Sequence, residues 1–384
     1  MKRVLALLAI VVVFLGLASC GGGGGGGTPS TRVSGVASKG IIKNGLIRIF
    51  ALNADGSKGA LLKETSTDAN GAYSASFSYS GAVLVEASGS YTDEATGATK
   101  TIPADAPLRA AVEQVSGTAA IAVTPLTELA VQRMEDPVSH NVTVAQIAAT
   151  NAAVSALFQV DIVGTMPVDA LSVTPGASNA QKEHALVLAA VSQLMQDKGE
   201  DLPTVIATLK SAIGSDGTLD TTAAQEFRGA LATFTASAEN QTGIVDLLET
   251  HLADIGSVTR NVRLAVTGTA GSIGGLQFQV VLPPGVTVQA DSNGNVVAGS
   301  LATASGVFAE GVYASANAWK RGRVGVIVAS PTGFAFGPFL TLTCQVAPGA
   351  APANGDFQLP VLGAYDSGQA PIDPTGLTVT ATLL

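Results

Sequence analysis

Charge is scarce in this chain: Asp, Glu, Lys and Arg make up only 13% of its 384 residues, and the balance is acidic, with a formal net charge of −9. A nucleic-acid binder needs a basic stripe to neutralise phosphates, so that partner class is excluded. Cysteine is scarcer still. Two residues, Cys20 and Cys344, cannot supply a disulfide framework. The three histidines, His140, His184 and His251, show no His-x-x-x-His or His-Glu-x-x-His spacing, whereas a zinc site needs several converging ligands. His184, directly after Glu183, is expected on a helix surface. No Gly-x-Ser-x-Gly elbow occurs. The adjacent carboxylates Glu200 and Asp201 suit a helix start, where the helix dipole favours negative charge. No catalytic residue is expected. Aromatic residues are 5% of the chain and include a single tryptophan, Trp319.

What is abundant is small and apolar: 44 glycines, and a hydrophobic fraction of 47%. The opening residues have the order of a secretory leader. Lys2 and Arg3 precede an uncharged apolar run over residues 4–17, and small residues lead to Cys20. That run is shorter than the roughly 20 residues a membrane span requires. Leu17-Ala18-Ser19-Cys20 resembles the bacterial lipobox. The resemblance implies that residues 1–20 are a lipoprotein signal peptide with Cys20 as the acylated residue. An ordinary leader or a buried N-terminal helix is the alternative. Residues 21–30 begin with seven glycines, which cost much entropy to order and read as a tether. Gly21 follows Cys20, where the inner-membrane retention signal of such lipoproteins would place Asp. An outer-membrane location, facing the periplasm or the cell surface, is expected.

The remainder is read as α+β and multidomain: a small antiparallel β-sandwich over 31–108, an α-helical bundle over 109–257 and a second β-sandwich over 258–384. In the first segment, strands are expected at 45–52, 72–77 and 81–87, with turns at Asp55-Gly56 and Asn70-Gly71. Asp55 and Asp68 are turn residues in this reading, with calcium as the alternative. The run Thr67-Asp68-Ala69-Asn70-Gly71-Ala72-Tyr73 resembles the Thr-Asp-x-x-Gly-x-Tyr signature of carboxypeptidase-regulatory-like and related Ig-like modules. That resemblance implies a stabilising or spacing role.

From about residue 121 the period changes to that of helices. One opens at Thr124-Pro125, with Thr as N-cap and Pro in the first turn. Others are expected over 144–158, 181–198, 202–213, 221–238 and 244–255, joined by short loops into a bundle. Val123-Thr124-Pro125-Leu126-Thr127 resembles a motif of bacterial lipoproteins in which a bundle follows an Ig-like module.

Strands return over 261–267, 273–282, 286–289, 323–329, 339–346 and 378–383. Cys344 falls on the same face of its strand as Leu340 and Leu342, the expected core face. The pattern from Gly274-Gly275-Leu276-Gln277-Phe278 to Leu282-Pro283-Pro284, followed by residues 322–328 and 337–346, resembles cohesin modules of cellulosome scaffoldins. It departs from them at Leu282-Pro283, where Tyr-Asp-Pro is usual, and at Cys344, where Phe is usual. The resemblance implies a jelly-roll sandwich and a dockerin-like protein partner. Asp291, Asn293 and Asn295 have the oxygen-rich look of a calcium loop, but Asn-Gly between strands is also a hairpin turn. Trp319, Arg321 and Arg323 form the basic cluster of the segment. It is either a solvated turn or a docking or sugar-stacking patch, since Trp and Arg are common interface anchors.

The expectation is therefore a lipid-anchored, non-catalytic surface protein, needing no cofactor beyond the candidate calcium. Its third segment would bind a protein or, alternatively, a polysaccharide; hydrolysis is the weakest alternative. Cys20→Ser should abolish partitioning of the protein into the detergent phase of a cloud-point extraction. Unchanged partitioning would refute the lipobox.

Overall fold

A computed structural model describes residues 30–268, 272–290, 294–305, 307, 313–320 and 322–384, with the backbone alone at 317–320. It is a mixed α+β structure with several antiparallel sheets.

Residues 30–120 form eight strands: β1 (Ser30–Val36), β2 (Leu46–Leu52), β3 (Lys58–Ser66), β4 (Ala72–Ser78), β5 (Gly81–Thr92), β6 (Thr99–Ile102), β7 (Leu108–Val115) and β8 (Thr118–Ala120). One sheet runs β4-β1-β8; the other runs β3-β2-β5-β6, with β7 also on β5. β5 is long enough to take β7 beside its first half and β6 beside its second. The turn motif has a structural role at each position. The Thr67 hydroxyl donates to Ile42 O at 2.6 Å and accepts from Gly45 N at 2.8 Å. Asp68 Oδ1 accepts from the backbone of Asn70 and Ala72. Gly71 supplies a φ of +72°, a region costly for residues with a Cβ. Tyr73 is buried and donates to Ile121 O at 2.7 Å. Asp55 likewise accepts from Ser57. Both aspartates therefore serve their turns.

Strand structure continues past residue 108. The Ala-rich run of β7 is ambiguous by composition, and pairing with β5 decides it, because strand preference depends on context. Gly35 in β1 is obligatory for a different reason: a Cβ there would lie 1.7 Å from Ile121 O.

Five helices follow: α1 (Pro125–Met134), α2 (Ile147–Phe158), α3 (Asn179–Lys198), α4 (Leu202–Ala212) and α5 (Thr221–Thr235). α1 opens on a reciprocal box, with Thr124 N donating to Thr127 Oγ1 and Thr127 N to Thr124 Oγ1. Ser178 and Gln181 repeat the device on α3. α2 buries Ile147, Val154 and Phe158, and Asn151 donates to Ala111 O of β7. The helix expected over 244–255 is absent. Two short 3-10 turns, Leu247–Glu249 and His251–Asp254, stand there instead. The side chains of Asp246 and Thr250 accept the backbone N–H of Leu248 and Leu252 and so compete with a continuous helix.

α3 is buried on all sides over Glu183 to Met195 rather than along one stripe. A helix so enclosed lies at the centre of its domain. His184 is consequently buried, not exposed as its neighbour Glu183 suggests. Its Nδ1 lies 2.8 Å from Thr165 O and must carry the proton, while Nε2 has no partner among the described residues. Burial pushes its pKa down to about 4.

A second embedded group ties the layers together. Lys39, in the loop after β1, has no solvent exposure. Its Nζ donates to Glu94 Oε2 at 3.2 Å and to Ser192 Oγ of α3, and lies 3.8 Å from Asp93 Oδ2. Ser192 in turn donates to Glu94. Glu94 Oε1 accepts from Gly40 N, and Lys100 closes the far side of Asp93 at 3.1 Å. Burial raises the Asp93 pKa, but the opposing effects of Lys39, Thr96 and Lys100 prevail and hold it below the usual carboxylate range. One hydrophobic cluster accordingly runs without a break from Val33 through the helices to Ile255.

The remaining strands are β9 (Val258–Gly268), β10 (Ile273–Val281), β11 (Val286–Thr287), β12 (Leu301–Thr303), β13 (Tyr313–Lys320), β14 (Arg323–Phe334), β15 (Gly337–Val346), β16 (Val361–Tyr365), β17 (Pro371–Ile372) and β18 (Leu377–Leu383). They form two sheets, β13-β14-β10-β16-β17 and β11-β15-β9-β18 with β12 on β15. Alternation aims Leu276, Phe278 and Val280 of β10 and Val324, Val326 and Val328 of β14 at Val262, Leu264, Leu342 and Cys344, giving a sandwich with its own core. Phe278 meets Phe339 edge-on at 5.7 Å. Cys344 lies in that core with its thiol pushed up to about 12 by burial.

Two outcomes test these buried groups. Lys39→Met leaves two carboxylates enclosed with half their compensation and should cost about 3–5 kcal/mol in urea unfolding. A loss within error of zero would show the cluster to be solvated. For His184, the folded pKa lies below the unfolded one, so its contribution is present above pH 6.5 and is lost as pH falls toward 4. Unfolding titrations should lose about 3 kcal/mol across that window, and His184→Gln should lack that slope.

Candidate functional site

The residues singled out for binding in the sequence are only partly within view. Asp291, Asn293 and Arg321 lie outside the described residues, and Asn295 flanks the bridge between Ala290 and Val296. Trp319 belongs to β13, and Arg323 opens β14 opposite Lys320 across the hairpin. Arg323 is exposed on the face opposite Val324 and Val326. Among the described residues no group of three or more His, Cys, Asp or Glu could hold a metal ion. Glu200 and Asp201 do stand at a helix start: Asp201 caps α4 by accepting from Thr204 N, and the Thr204 side chain together with that backbone bond lowers its pKa.

The two outer faces of the C-terminal sandwich differ in chemistry. That of β15-β9 is a polar ladder, with Thr343 donating to Asn261 and Gln345 to Thr259. That of β13-β14-β10-β16 carries exposed apolar groups instead. Register places Tyr313, Ala329, Gly275 and Tyr365 in one row across four strands. The next row is Ser315, Ile327, Gln277 and Gly363. Tyr313 is 60% exposed, Ile327 47%, Tyr365 53%, and Leu362 beside them 57%. The Tyr365 ring lies over Gly275, its Cδ2 3.8 Å from where a Cβ would stand. Three strand steps separate the tyrosines, about 14 Å at sheet spacing. Arg323 lies on the same face, six residues along β14 from the tyrosine row. Sequence reasoning misses these tyrosines, because it does not recognise β13 and β16 as strands. The signal that could find them is their outward position in a period of two.

A second concavity, a cleft of about 1120 Å³, opens where the β3-β2-β5-β6 sheet meets the helices. Its floor is a row of alternating charge, Arg48, Glu86 and Arg109, set side by side by the register of β2, β5 and β7. Lys58 donates to Glu86 at 2.9 Å and lies 4.7 Å from the centre of the Phe50 ring. Arg109 is held by Glu128 and Glu135 of the α1 region; burial opposes its charge, but these two carboxylates outweigh that and raise its pKa. The walls are Ile102, Pro103, Pro107, Leu202, Pro203 and Ile206, with Glu200 at the rim of α4.

No family model matches the sequence, and no curated protein matches it. Among solved structures, the chain is similar to a single-residue variant of BcpA, the major pilin subunit of Bacillus cereus. That likeness has a TM-score of 0.19 at 9% identity and covers 92% of this chain and 68% of that one. It is also similar to a 9R-lipoxygenase from Cyanothece, with a TM-score of 0.15 at 12% identity, over 84% of this chain and 43% of that one. At such TM-scores neither likeness assigns a fold or an activity.

Proposed function

We propose that the protein is a lipid-anchored, non-catalytic binding protein of the cell envelope, with Cys20 as its anchor and a cohesin-like C-terminal sandwich as its docking module. The observation that carries this reading is the outer face of β13-β14-β10-β16. Four large apolar side chains there, Tyr313, Ile327, Leu362 and Tyr365, are about half exposed. Tyrosine anchors in an apolar patch rimmed by polar groups are typical of interface centres. Gln277 lies within the patch, and Arg323 stands at the far end of the same face. A protein partner is the first reading, steered toward Arg323 if it is acidic.

The non-catalytic part of the reading is supported by where the nucleophiles sit. Ser192 and Lys39 are adjacent, an arrangement that could activate a hydroxyl, but both are sealed from solvent and paired to carboxylates. The Cys344 thiol is buried in the sandwich core.

A second reading, polysaccharide binding, is favoured by the small residues between the tyrosines. Only Gly275 and Ala329 stand between the two tyrosines, so sugar rings could stack along the row. Surface capture of envelope proteins and affinity electrophoresis in soluble polysaccharides separate the two. Protein capture that falls about tenfold or more in Tyr313→Ala/Tyr365→Ala, with unchanged thermal stability, is the expected result. Retardation by polysaccharide alone, lost in the same variant, would replace the first reading with the second. Indifference of both assays to the substitutions would remove this face from the function.

A further inference from the structure

The cleft between the β3-β2-β5-β6 sheet and the helices is separate from the C-terminal sandwich face and has a charge balance of its own. Three of its four cations are closely compensated. Lys58 is paired with Glu86 and Lys100 with Asp93, while Arg109 is held by Glu128 and Glu135. Arg48 is the exception. Among the described residues its ion-pair contact is Glu64 at 4.0 Å, and the Glu64 side chain is 56% exposed. A guanidinium has five donors in a planar fork suited to carboxylates, so most of that capacity on the cleft floor is unspent.

The opposite deficit sits on the wall. Glu200 Oε2 is buried and has no hydrogen-bond partner among the described residues. A ligand donor there would relieve a buried acceptor, the kind of group that is costly to leave unmade. Glu200 is held in place by its backbone, whose N–H donates to Met195 O at 3.0 Å at the end of α3. A ligand that brings a donor to Glu200 and an acceptor to Arg48 would satisfy both at once. Between them the walls are apolar and proline-rich, from Pro103 and Pro107 on one side to Leu202 and Pro203 on the other.

We propose that this cleft binds the zwitterionic backbone of a short peptide, its C-terminal carboxylate on Arg48 and its N-terminal ammonium on Glu200. The volume, about 1120 Å³, is slightly above the usual range for small-ligand sites, roughly 300–1,000 Å³. It therefore accommodates several residues, not only a single amino acid. The apolar walls take side chains without demanding particular ones, so selectivity lies in the two termini and in length. This is a binding activity and involves no bond making or breaking.

Calorimetric titration of the whole chain with trialanine tests it, with N-acetyl-trialanine, trialanine amide and maltotriose as companions. Trialanine should bind, and blocking either terminus should weaken it by about tenfold or more, because each block removes a charge-assisted hydrogen bond. The pairing is then read from variants. Arg48→Gln should become indifferent to amidation while still sensing acetylation, and Glu200→Gln the reverse. Equal affinity for free and blocked peptides would overturn the proposal, as would silence toward trialanine up to about 10 mM, far above the concentration at which a functional peptide site would fill. Binding of maltotriose in place of trialanine would also overturn it. Should either variant fail to fold, the blocked peptides on the unaltered protein decide alone. Failure here would leave the tyrosine face of the sandwich untouched, because the two sites share no residue.

Discussion

The buried ammonium of Lys39 is the constraint around which the larger of the two cores is organised. Taking an ion out of water costs several kcal/mol unless geometry and additional hydrogen bonds compensate. Here the compensation comes from two directions: Asp93 and Glu94 from the sheet, and Ser192 from α3. The cluster can be satisfied only when the helix lies against the sheet in one register. The apolar side chains around it, Leu186, Val187, Leu188, Val191 and Leu194 of α3, pack to the same register. The polar group constrains orientation, and the hydrophobic cluster from Val33 to Ile255 supplies the bulk of the stabilisation. The cleft is a consequence of the same geometry. Tyr91 and Lys100, which border the buried cluster, also line the cleft.

The C-terminal sandwich is governed by simpler physics. Strict alternation places valine, leucine and phenylalanine on the inner faces of β9, β10, β14 and β15, and the core closes without a buried ion pair among the described residues. Its join to the helical part is polar. Thr287 donates to Asp254 at 2.5 Å, and Arg228 donates to Ala253 O and Ile255 O just before the chain enters β9. Because its core needs only one face of each sheet, the outer faces are free to differ. One became a threonine-rich ladder and the other an apolar platform.

Much of the architecture is legible in the sequence because it rests on local rules. Thr124-Pro125, Ser178 and Asp201 mark helix starts through their own side chains, and Asp68 to Gly71 build a turn from short-range bonds and an obligate glycine. Cys344 can be assigned to a core from alternation alone. Where local rules conflict with context the reading fails. The last helix breaks at Asp246 and Thr250, whose side chains compete for the backbone. β7 is hidden in an alanine-rich run that only β5 can recruit as a strand.

The sites divide along the same line. Sequence by itself determined the small, weakly charged composition, the leader-like opening with its cysteine, and the periods that separate strands, helices and strands again. These follow from residue chemistry over a few neighbours. Tertiary structure alone decided that His184 and Lys39 are enclosed and that Tyr313 and Tyr365 share a row. It alone set Arg48 and Glu200 across one cleft. Each of these arrangements joins residues far apart in the chain, and their meeting is fixed by strand register and helix packing, quantities that no local pattern carries.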